Sequence, residues 1–406
     1  MFGITAHAYK KQTERRPNMQ ELFTLVTSIP GGEVIWKVAM FVLVLGVLVF
    51  VHEWGHYIAA RSVGIAVDVF SIGFGKEIWG FNDRNGTRWK VAMIPLGGYV
   101  RMVGDTPESE AALNASQKEN SFFSKNVYAR MWVVFAGPLV NFVFAAIILA
   151  GLMMYGEQRI LPVVGAIMEE SAAAEAGLQQ GDRILSLDGT QLPDWNTMSA
   201  IIEKSGGKTL SALIQRGEAQ LTLPVTPKSV ETRNVFGESK EIGILGVRSA
   251  QPPQTVLVRH GVLESLGMGV YKTYDYTAMT LKAITRMITG AMPAEIGGPL
   301  SIGDMAGESA KYGFYSLCLF AAIISINLGL INLFPVPMLD GGHLVFFSIE
   351  AVMGKPVHER VQDIGYRIGF SLVVLLMVFA TWKDINKFFI HHGDKDTPAV
   401  EENAKE

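Results

Sequence analysis

Long apolar stretches alternate with polar segments along this chain, and four of the apolar stretches are long enough to cross a lipid bilayer. They cover residues 34–60, 131–155, 314–340 and 367–383. An α-helix needs roughly 20 mostly apolar residues to cross the hydrocarbon core of a membrane, and slightly shorter runs suffice when their ends extend. The pattern therefore predicts a polytopic α-helical membrane protein with four transmembrane helices.

Two extended arms lie between the first and second spans. Residues 69–81 and 87–102 are rich in Val, Ile, Trp and Phe, and the turn between them contains an Asn-Gly pair. This arrangement predicts a β-hairpin over 69–103. It is either a small surface hairpin or a re-entrant one, which membrane depth tolerates only where protein or water covers its backbone. Gly97 and Gly98 predict that the second arm is bent or lies at an edge.

Between the second and third spans, residues 163–227 alternate short strands and helices. A strand at 163–168 precedes a small-residue helix, and a second helix follows at 196–204. The order predicts a compact α+β domain inserted between two spans. Its motif Ala-Gly-Leu at 176–178, followed by Gly-Asp-Arg-Ile at 181–184, resembles that of bacterial PDZ domains, which bind an extended peptide at a sheet edge. The alternative is a domain that only fills space or blocks access.

Three further segments complete the organisation of the chain. Residues 255–290 place apolar side chains at helical spacing among basic ones, which predicts an amphipathic helix lying at the membrane interface. The N-terminal extension, 1–33, begins with eighteen residues of different composition, so Met19 is a candidate for the natural start. The tail, 384–406, is polar and predicted to be disordered.

Composition supports a membrane protein and argues against nucleic acid as a partner. Hydrophobic residues make up 49% of the chain and charged residues 18%, with a formal net charge of −3. No basic stripe is present along the sequence. The single cysteine, Cys318, provides no disulfide framework, so any extracytoplasmic part must fold by core packing.

Candidate chemistry begins at the end of the first span, with the sequence His52-Glu53-Trp54-Gly55-His56. Positions i and i+4 share one face of a helix, so His52 and His56 can both direct a ring nitrogen at one Zn²⁺. Glu53 is turned roughly 100° from His52, which suits a general base acting on a water molecule at the metal. Ionisable groups at membrane depth are costly and usually functional. The spacing thus predicts a zinc site.

A catalytic zinc site needs three protein ligands and one open position, so a third ligand must come from elsewhere. Asp340 follows an uncharged run that starts after Lys311, and two prolines interrupt helical geometry before it. We predict Asp340 as the third ligand, with His343 and Glu350 as alternatives. An Asp that merely caps the following helix is the remaining interpretation.

Taken together, these motifs resemble those of the site-2 protease family of intramembrane zinc metalloproteases. The resemblance rests on four features in order: H-E-x-x-H in the first span, G-P-x-x-N in the second, a PDZ-like insert, and N-x-x-P-x-P-x-L-D-G ending at residue 341. It implies that His52, His56 and Asp340 bind zinc and that Glu53 is the base. Asn332 is implied to contact the substrate, and the hairpin, with Gly97 and Gly98, to present a strand edge to it.

The resemblance also sets expectations about function and location. It implies an inner-membrane protease with the zinc site towards the cytoplasm, and with the PDZ domain and both termini outside. Its partners would be membrane lipid and single-pass substrates, such as an anti-sigma factor or remnant signal peptides. The chain departs from the best-known members in having one PDZ-like segment rather than two. Two other function classes remain as alternatives: a catalytically idle PDZ adaptor and a zinc-dependent transporter.

Overall fold

In a computed structural model, the chain is described over residues 19–233, 239–293 and 297–393. The first eighteen residues of the predicted N-terminal extension and most of the predicted tail lie outside the described residues. By internal contacts the chain divides into a first unit, Met1–Ala145 with Ile296–Glu406, and a second unit, Ala146–Glu295.

Twelve helices and twelve strands lie within the described residues. The helices are α1 (Met19–Thr27), α2 (Gly32–Ser62), α3 (Pro107–Ala111), α4 (Ala115–Lys118), α5 (Val127–Tyr155), α6 (Ala172–Glu175), α7 (Trp195–Glu203), α8 (Val262–Ile288), α9 (Pro299–Lys311), α10 (Phe314–Asn332), α11 (Asp340–Met353) and α12 (Glu359–Gly393). The strands are β1 (Val67–Asn82), β2 (Arg88–Met102), β3 (Glu157–Ile160), β4 (Val164–Ile167), β5 (Arg183–Leu187), β6 (Thr190–Gln191), β7 (Leu210–Arg216), β8 (Ala219–Val225), β9 (Lys228–Arg233), β10 (Ser239–Ile244), β11 (Val247–Ser249) and β12 (Thr255–Val258).

Four helices in the described ranges are long and apolar enough to cross a membrane. They are α2, α5, α10 and the part of α12 from Glu359 to Asn386. These helices contain the first, second and fourth apolar stretches seen in the sequence and residues 314–332 of the third. They fit a polytopic membrane protein with an inserted sheet domain. The fourth helix is longer than predicted and continues to Gly393, into the segment expected to be a disordered tail.

The third apolar stretch differs from the prediction because it is not one helix. Helix α10 ends at Asn332, and a loop of seven residues leads to α11, which begins at Asp340. Pro335 and Pro337 lie in this loop, where their missing N–H groups and fixed φ angles are incompatible with a continuing helix. Asp340 therefore stands at the N-terminus of a new helix rather than at the end of a span.

The β1–β2 hairpin is strongly bent, so that four strand segments lie side by side. Phe70 in the first half of β1 pairs with Val100 on one side and with Trp89 on the other, and several register shifts accompany the bend. The turn is held by Asp83, whose carboxylate accepts hydrogen bonds from the Thr87 amide and from the side chain of Trp89. Residues 98–102 consequently form an end strand of this small sheet.

Small residues bring the helices of the first unit close together. A Cβ atom on Gly55 of α2 would lie 2.5 Å from the carbonyl oxygen of Ala136 on α5, so any larger residue would push the two helices apart. Gly329 of α10 is similarly close to the backbone of Pro138. Small residues at helix crossings allow the backbone contact that stabilises helix pairs in lipid. Helix α5 thus contacts both α2 and α10.

In the second unit, a four-stranded antiparallel sheet in the order β6-β5-β7-β8 packs with α6 and α7. We call the segment Val164–Ser249 the sheet insert. Its core contains fully buried side chains from both sheet and helices, including Ile184, Met198 and Ile214. Strand β4 pairs with β11, which closes the sheet insert on itself.

The segment predicted as one amphipathic helix, 255–290, contains a strand as well as a helix. Strand β12 pairs with β3, so that Thr255 lies opposite Ile160 and the two ends of the sheet insert are held together. Helix α8 then runs from Val262 to Ile288. Its apolar side chains are exposed along one stripe: Leu263, Leu266, Val270, Tyr274, Leu281 and Ile288.

Candidate active site

Three side chains that are far apart in sequence direct their ligand atoms at one point in the first unit. Nε2 of His52 lies 3.3 Å from Nε2 of His56, and Oδ2 of Asp340 lies 3.2 Å and 3.5 Å from these two atoms. The histidines project from one face of α2, as the four-residue spacing requires. All three side chains are largely buried. The structure thus brings together the three residues that the sequence indicated.

The hydrogen bond of His56 fixes which ring nitrogen carries its proton. Nδ1 of His56 lies 2.9 Å from the carbonyl oxygen of Val133 on α5. A carbonyl oxygen can only accept, so Nδ1 carries the hydrogen and Nε2 of the neutral ring keeps a lone pair. That lone pair faces His52 and Asp340, which is the arrangement that a metal ligand needs.

Asp340 is presented by the loop that follows α10. Close backbone contacts hold this loop, because a Cβ on Gly341 or Gly342 would collide with carbonyl groups of the loop itself. Met338 adopts a positive φ of 93°, a conformation that non-glycine residues rarely take. Strained backbone of this kind persists only where the surrounding structure requires it, and it is common at functional sites. The loop therefore fixes the direction of the Asp340 carboxylate.

The geometry of the three atoms fits a zinc ion. In a tetrahedral site with metal–nitrogen distances of about 2.0–2.1 Å, neighbouring ligand atoms are roughly 3.3 Å apart, and the three separations here are 3.2, 3.3 and 3.5 Å. Oδ2 of Asp340 is buried and has no hydrogen-bond partner among the residues that the structure describes. A buried carboxylate oxygen without a donor is costly unless a cation satisfies it. Two imidazoles and one carboxylate are also a common donor set for catalytic zinc.

The two alternative ligands, His343 and Glu350, contact other side chains. The guanidinium group of Arg130 forms a two-pronged ion pair with the Glu350 carboxylate, with its shortest contact at 2.5 Å. Nδ1 of His343 lies 3.3 Å from the hydroxyl oxygen of Tyr366 on α12. Neither side chain belongs to the three-residue cluster among the described residues. The arrangement favours Asp340 over His343 and Glu350 as the third ligand.

Glu53 lies beside the cluster and against the hairpin. Its carboxylate interacts with the backbone amide of Val100 on β2. Gly98 allows this approach, because a Cβ there would lie 2.8 Å from Val49 and 3.1 Å from Cγ of Glu53. Gly97 has a φ of 100°, and a side chain at that position would collide with the ring of Phe74. The bent end strand thus lies next to Glu53.

Asn332 reaches the same point from α10. It is the last residue of that helix, and its side-chain nitrogen lies 3.5 Å from Nε2 of His52. A cavity of 1030 Å³ adjoins the cluster and is lined by apolar and charged side chains. Glu53, Asn332 and Asp340 are among its lining residues, together with Arg130 and Glu350. The cavity is large enough to hold water and an extended segment of polypeptide.

Three contacts with α5 were not predicted from the sequence. Asn141 places its side-chain nitrogen 3.1 Å from Nδ1 of His52, and Val133 binds His56 as described above. Gly137 faces the ring of His56 so closely that a Cβ would collide with Nε2. The motif G-P-x-x-N marked Gly137 and Asn141 but gave them no role. Their contacts with His52 and His56 become visible only in the packing of α5 against α2.

Comparison with known proteins agrees with this geometry. The profile of peptidase family M50 matches residues 40–376. A protein of Rhizobium meliloti named "Putative zinc metalloprotease" is 38% identical, over 87% of this chain and 97% of its own length. A protein of the same name from Brucella suis is 39% identical, over 85% of this chain and 94% of its own length.

The regulator of sigma E protease of Haemophilus influenzae is 36% identical, over 86% of this chain and 98% of its own length. That alignment runs over 439 positions, more than the 406 residues of this chain, so the Haemophilus protein has residues without a counterpart here. The family match covers the cluster, the hairpin and all or part of each apolar helix. The chain therefore belongs to peptidase family M50, the site-2 proteases, and is a zinc metalloendopeptidase.

Proposed function

We propose that this protein hydrolyses peptide bonds within the transmembrane segments of single-pass membrane proteins. The observation that carries the proposal is the convergence of His52, His56 and Asp340, beside Glu53, where helices long and apolar enough to span a membrane meet. Ionisable side chains at membrane depth are costly and usually functional. Their position favours a substrate that is itself within the bilayer.

His52, His56 and Asp340 would hold the zinc ion. Their lone pairs converge from α2 and α11, and three protein ligands leave one position for water or substrate. Bound zinc supplies Lewis-acid chemistry, lowering the pKa of water and polarising a carbonyl group.

Glu53 acts as the general base and Asn332 as a donor to the substrate. Glu53 takes a proton from the attacking water and delivers it to the nitrogen of the leaving segment. The amide of Asn332 donates a hydrogen bond to the scissile carbonyl oxygen, where negative charge develops. Both side chains line the cavity that adjoins the cluster, which supports this division of roles.

The hairpin presents the substrate to these groups. A transmembrane helix hides its carbonyls in hydrogen bonds between positions i and i−4, so it must unwind before hydrolysis. The end strand at 98–102 can hold the unwound segment by strand addition. Gly97 and Gly98 keep this strand close to Glu53 and free of bulky side chains. Its position supports a re-entrant hairpin rather than a surface one.

The sheet insert is a PDZ domain that controls which substrates reach the site. The order of its strands and helices and its Gly181-Asp182-Arg183-Ile184 turn support this assignment. It acts either by binding a peptide end or by excluding large extracellular domains. The residues of the Haemophilus protein that have no counterpart in this chain support a single PDZ copy here. The exposed apolar stripe of α8 supports the placement of this helix on the lipid surface.

The substrates are single-pass proteins already trimmed outside the membrane, such as an anti-sigma factor, or remnant signal peptides. Sequence similarity to a regulator of sigma E protease supports the first of these. The protein lies in the bacterial inner membrane, with its zinc site towards the cytoplasm and the insert and both termini outside. Four spans place both termini on one side, and the segment between the first two spans is rich in Lys and Arg.

The proposal is tested by mapping the cleaved bond. Purified protein in lipid vesicles is incubated with a single-pass substrate, and the products are identified by mass spectrometry. We expect the cleaved bond to lie within the apolar segment of the substrate. Cleavage confined to residues outside that segment would contradict the proposal. A catalytically idle adaptor, the alternative from sequence, is not supported by family membership or by the presence of all four residues.

A further inference from the structure

Asn141 is a fully buried polar residue on a predominantly apolar helix, and its side chain faces the ring of His52. The side-chain nitrogen lies 3.1 Å from Nδ1 of His52. Oδ1 is buried and has no hydrogen-bond partner within the described part of the chain. Asn141 itself has no solvent exposure. A buried amide oxygen without a donor destabilises the folded protein, because it has lost its hydrogen bonds to water. Both the burial of this amide and its unpaired oxygen therefore require an explanation.

The role of His52 as a metal ligand explains both features of Asn141. Its Nε2 faces Nε2 of His56 and Oδ2 of Asp340, so Nε2 must carry a lone pair if His52 is to bind a metal. In a neutral ring, the proton must then be on Nδ1. His56 achieves the same state through the carbonyl oxygen of Val133. For His52, the group within hydrogen-bonding distance of Nδ1 is the amide of Asn141.

An amide nitrogen cannot accept a hydrogen bond from Nδ1–H, but the amide oxygen can. A turn of 180° about the Cβ–Cγ bond exchanges the two atoms, which have almost the same shape. The turn places the oxygen against Nδ1 and gives it the donor that it lacks. The metal-ligand state of His52 and the pairing of the buried oxygen therefore require the same orientation.

We propose that Asn141 is a positioning residue, whose amide oxygen accepts the Nδ1–H of His52 and so holds Nε2 in the metal-binding state. The inference rests on the proposed role of His52, His56 and Asp340. Asparagine suits this place because it accepts a hydrogen bond without adding a negative charge inside the membrane. Outer-shell partners of this kind typically change metal affinity by about 10–100-fold when they are removed.

The test compares two substitutions of Asn141 in the full-length protein. Asn141→Leu keeps the shape but removes the acceptor, and Asn141→Asp keeps an acceptor at both positions. The dissociation constant of zinc is measured by competition with a chelator. We expect a weakening of about 10–100-fold for Asn141→Leu, and a value within about threefold of the unsubstituted protein for Asn141→Asp. Unchanged affinity in Asn141→Leu, or equal weakening in both variants, overturns the proposal.

Two controls separate positioning from general damage. Ser325→Ala removes a hydrogen bond to the Asn141 backbone carbonyl and leaves the His52 contact intact, so its zinc affinity should not change. A loss equal to that of Asn141→Leu overturns the positioning role. His52→Ala must lose zinc; if it does not, the proposed metal site itself is wrong. Loss in His52→Ala without loss in Asn141→Leu rejects the positioning role alone.

A spectroscopic measurement decides the question even if Asn141→Asp fails to fold. Nitrogen-15 NMR of histidine-labelled, zinc-loaded protein in lipid reports which ring nitrogen of His52 carries hydrogen. The signal is assigned by its absence in His52→Gln. We expect a protonated Nδ1 whose chemical shift changes in Asn141→Leu. An Nδ1 without hydrogen in the unsubstituted protein overturns the proposal.

Discussion

Nε2 of His52 on α2 lies 3.2 Å from Oδ2 of Asp340 on α11. The contact joins the first apolar helix to the segment that follows the third, although most of the chain, including the whole sheet insert, lies between them in sequence. The cluster therefore forms only when the helices of the first unit are packed together. A metal held at this point would tie the folding of that unit to the formation of its site.

Asp340→Asn should release zinc. The substitution replaces a charged ligand with a neutral amide, and we expect zinc affinity to fall by more than roughly 100-fold, because loss of an outer-shell partner alone costs about 10–100-fold. Elemental analysis of the purified protein gives the metal content. His343→Asn is the matched control, since His343 lies one turn further along α11, and its zinc content should remain unchanged. Full zinc in Asp340→Asn would rule out Asp340 as the third ligand.

The sequence predicts the parts of this structure that depend on local pattern. Apolar length locates the four helices, and four-residue spacing places His52 and His56 on one face of α2. The two prolines explain why α10 stops before Asp340, although the prediction extended the third span through them. Each of these inferences uses residues that are neighbours in sequence.

Contacts between distant segments were not predictable from one sequence. The roles of Gly137 and Asn141 depend on how closely α5 approaches α2, and no local pattern encodes that distance. Strands β3 and β12 are four residues each and lie on opposite sides of the sheet insert, so neither shows the alternation that marks a longer strand. Most of the segment 255–290 is helical. The helical pattern of the whole segment therefore did not indicate that its first four residues form a strand.

Gly137→Ala should damage the site without changing the character of α5. The added Cβ would collide with Nε2 of His56, so the ring must move away from His52 and Asp340. We expect zinc affinity and cleavage each to fall by at least about tenfold, the lower end of the effect of disturbing a metal ligand's surroundings. Gly151→Ala on the same helix meets open space and serves as the control. Equal effects in the two variants would contradict a specific role for Gly137.

Removal of the sheet insert tests whether it selects substrates. Thr255 pairs with Ile160, so residues 161–254 can be replaced by an Asn-Gly turn that joins β3 and β12 as a hairpin. We expect the shortened protein to cleave untrimmed and trimmed substrates at similar rates, whereas the full chain prefers trimmed ones. If the insert instead recruits substrates by binding a peptide end, cleavage of trimmed substrate will fall. A preference that survives removal would contradict gating.

The stability of the sheet insert should depend on pH through Asp182. Burial alone would raise the pKa of this carboxyl, but hydrogen bonds from Arg216 and the Gln179 amide outweigh that effect and hold the pKa below its usual value. The pair therefore stabilises the insert above about pH 4, the usual Asp pKa, and this contribution is lost as the pH falls through the lowered value.

Hydrogen exchange at the Gln179 amide, corrected for its intrinsic pH dependence, measures this effect. Arg216→Gln should increase exchange several-fold at neutral pH, and the difference from the unsubstituted protein should shrink below about pH 4. Lys228→Gln is the control, because it removes an exposed ion pair with Glu175 and a hydrogen bond to the carbonyl oxygen of Glu170 but leaves the partners of Asp182 in place. Exposed ion pairs typically contribute little. A difference that does not vary with pH would contradict the role of Asp182.

The most direct measurement of the central claim is cleavage of a single-pass substrate in lipid vesicles by the unsubstituted protein and by Glu53→Gln. The substitution keeps the size of the side chain and removes its capacity to accept a proton. We expect zinc content to be unchanged and the cleavage rate to fall by about 100-fold or more, the usual contribution of a general base. Glu33→Gln, at the other end of α2, should cleave normally. Cleavage by Glu53→Gln at the unsubstituted rate would contradict an intramembrane zinc protease that uses Glu53 as its base.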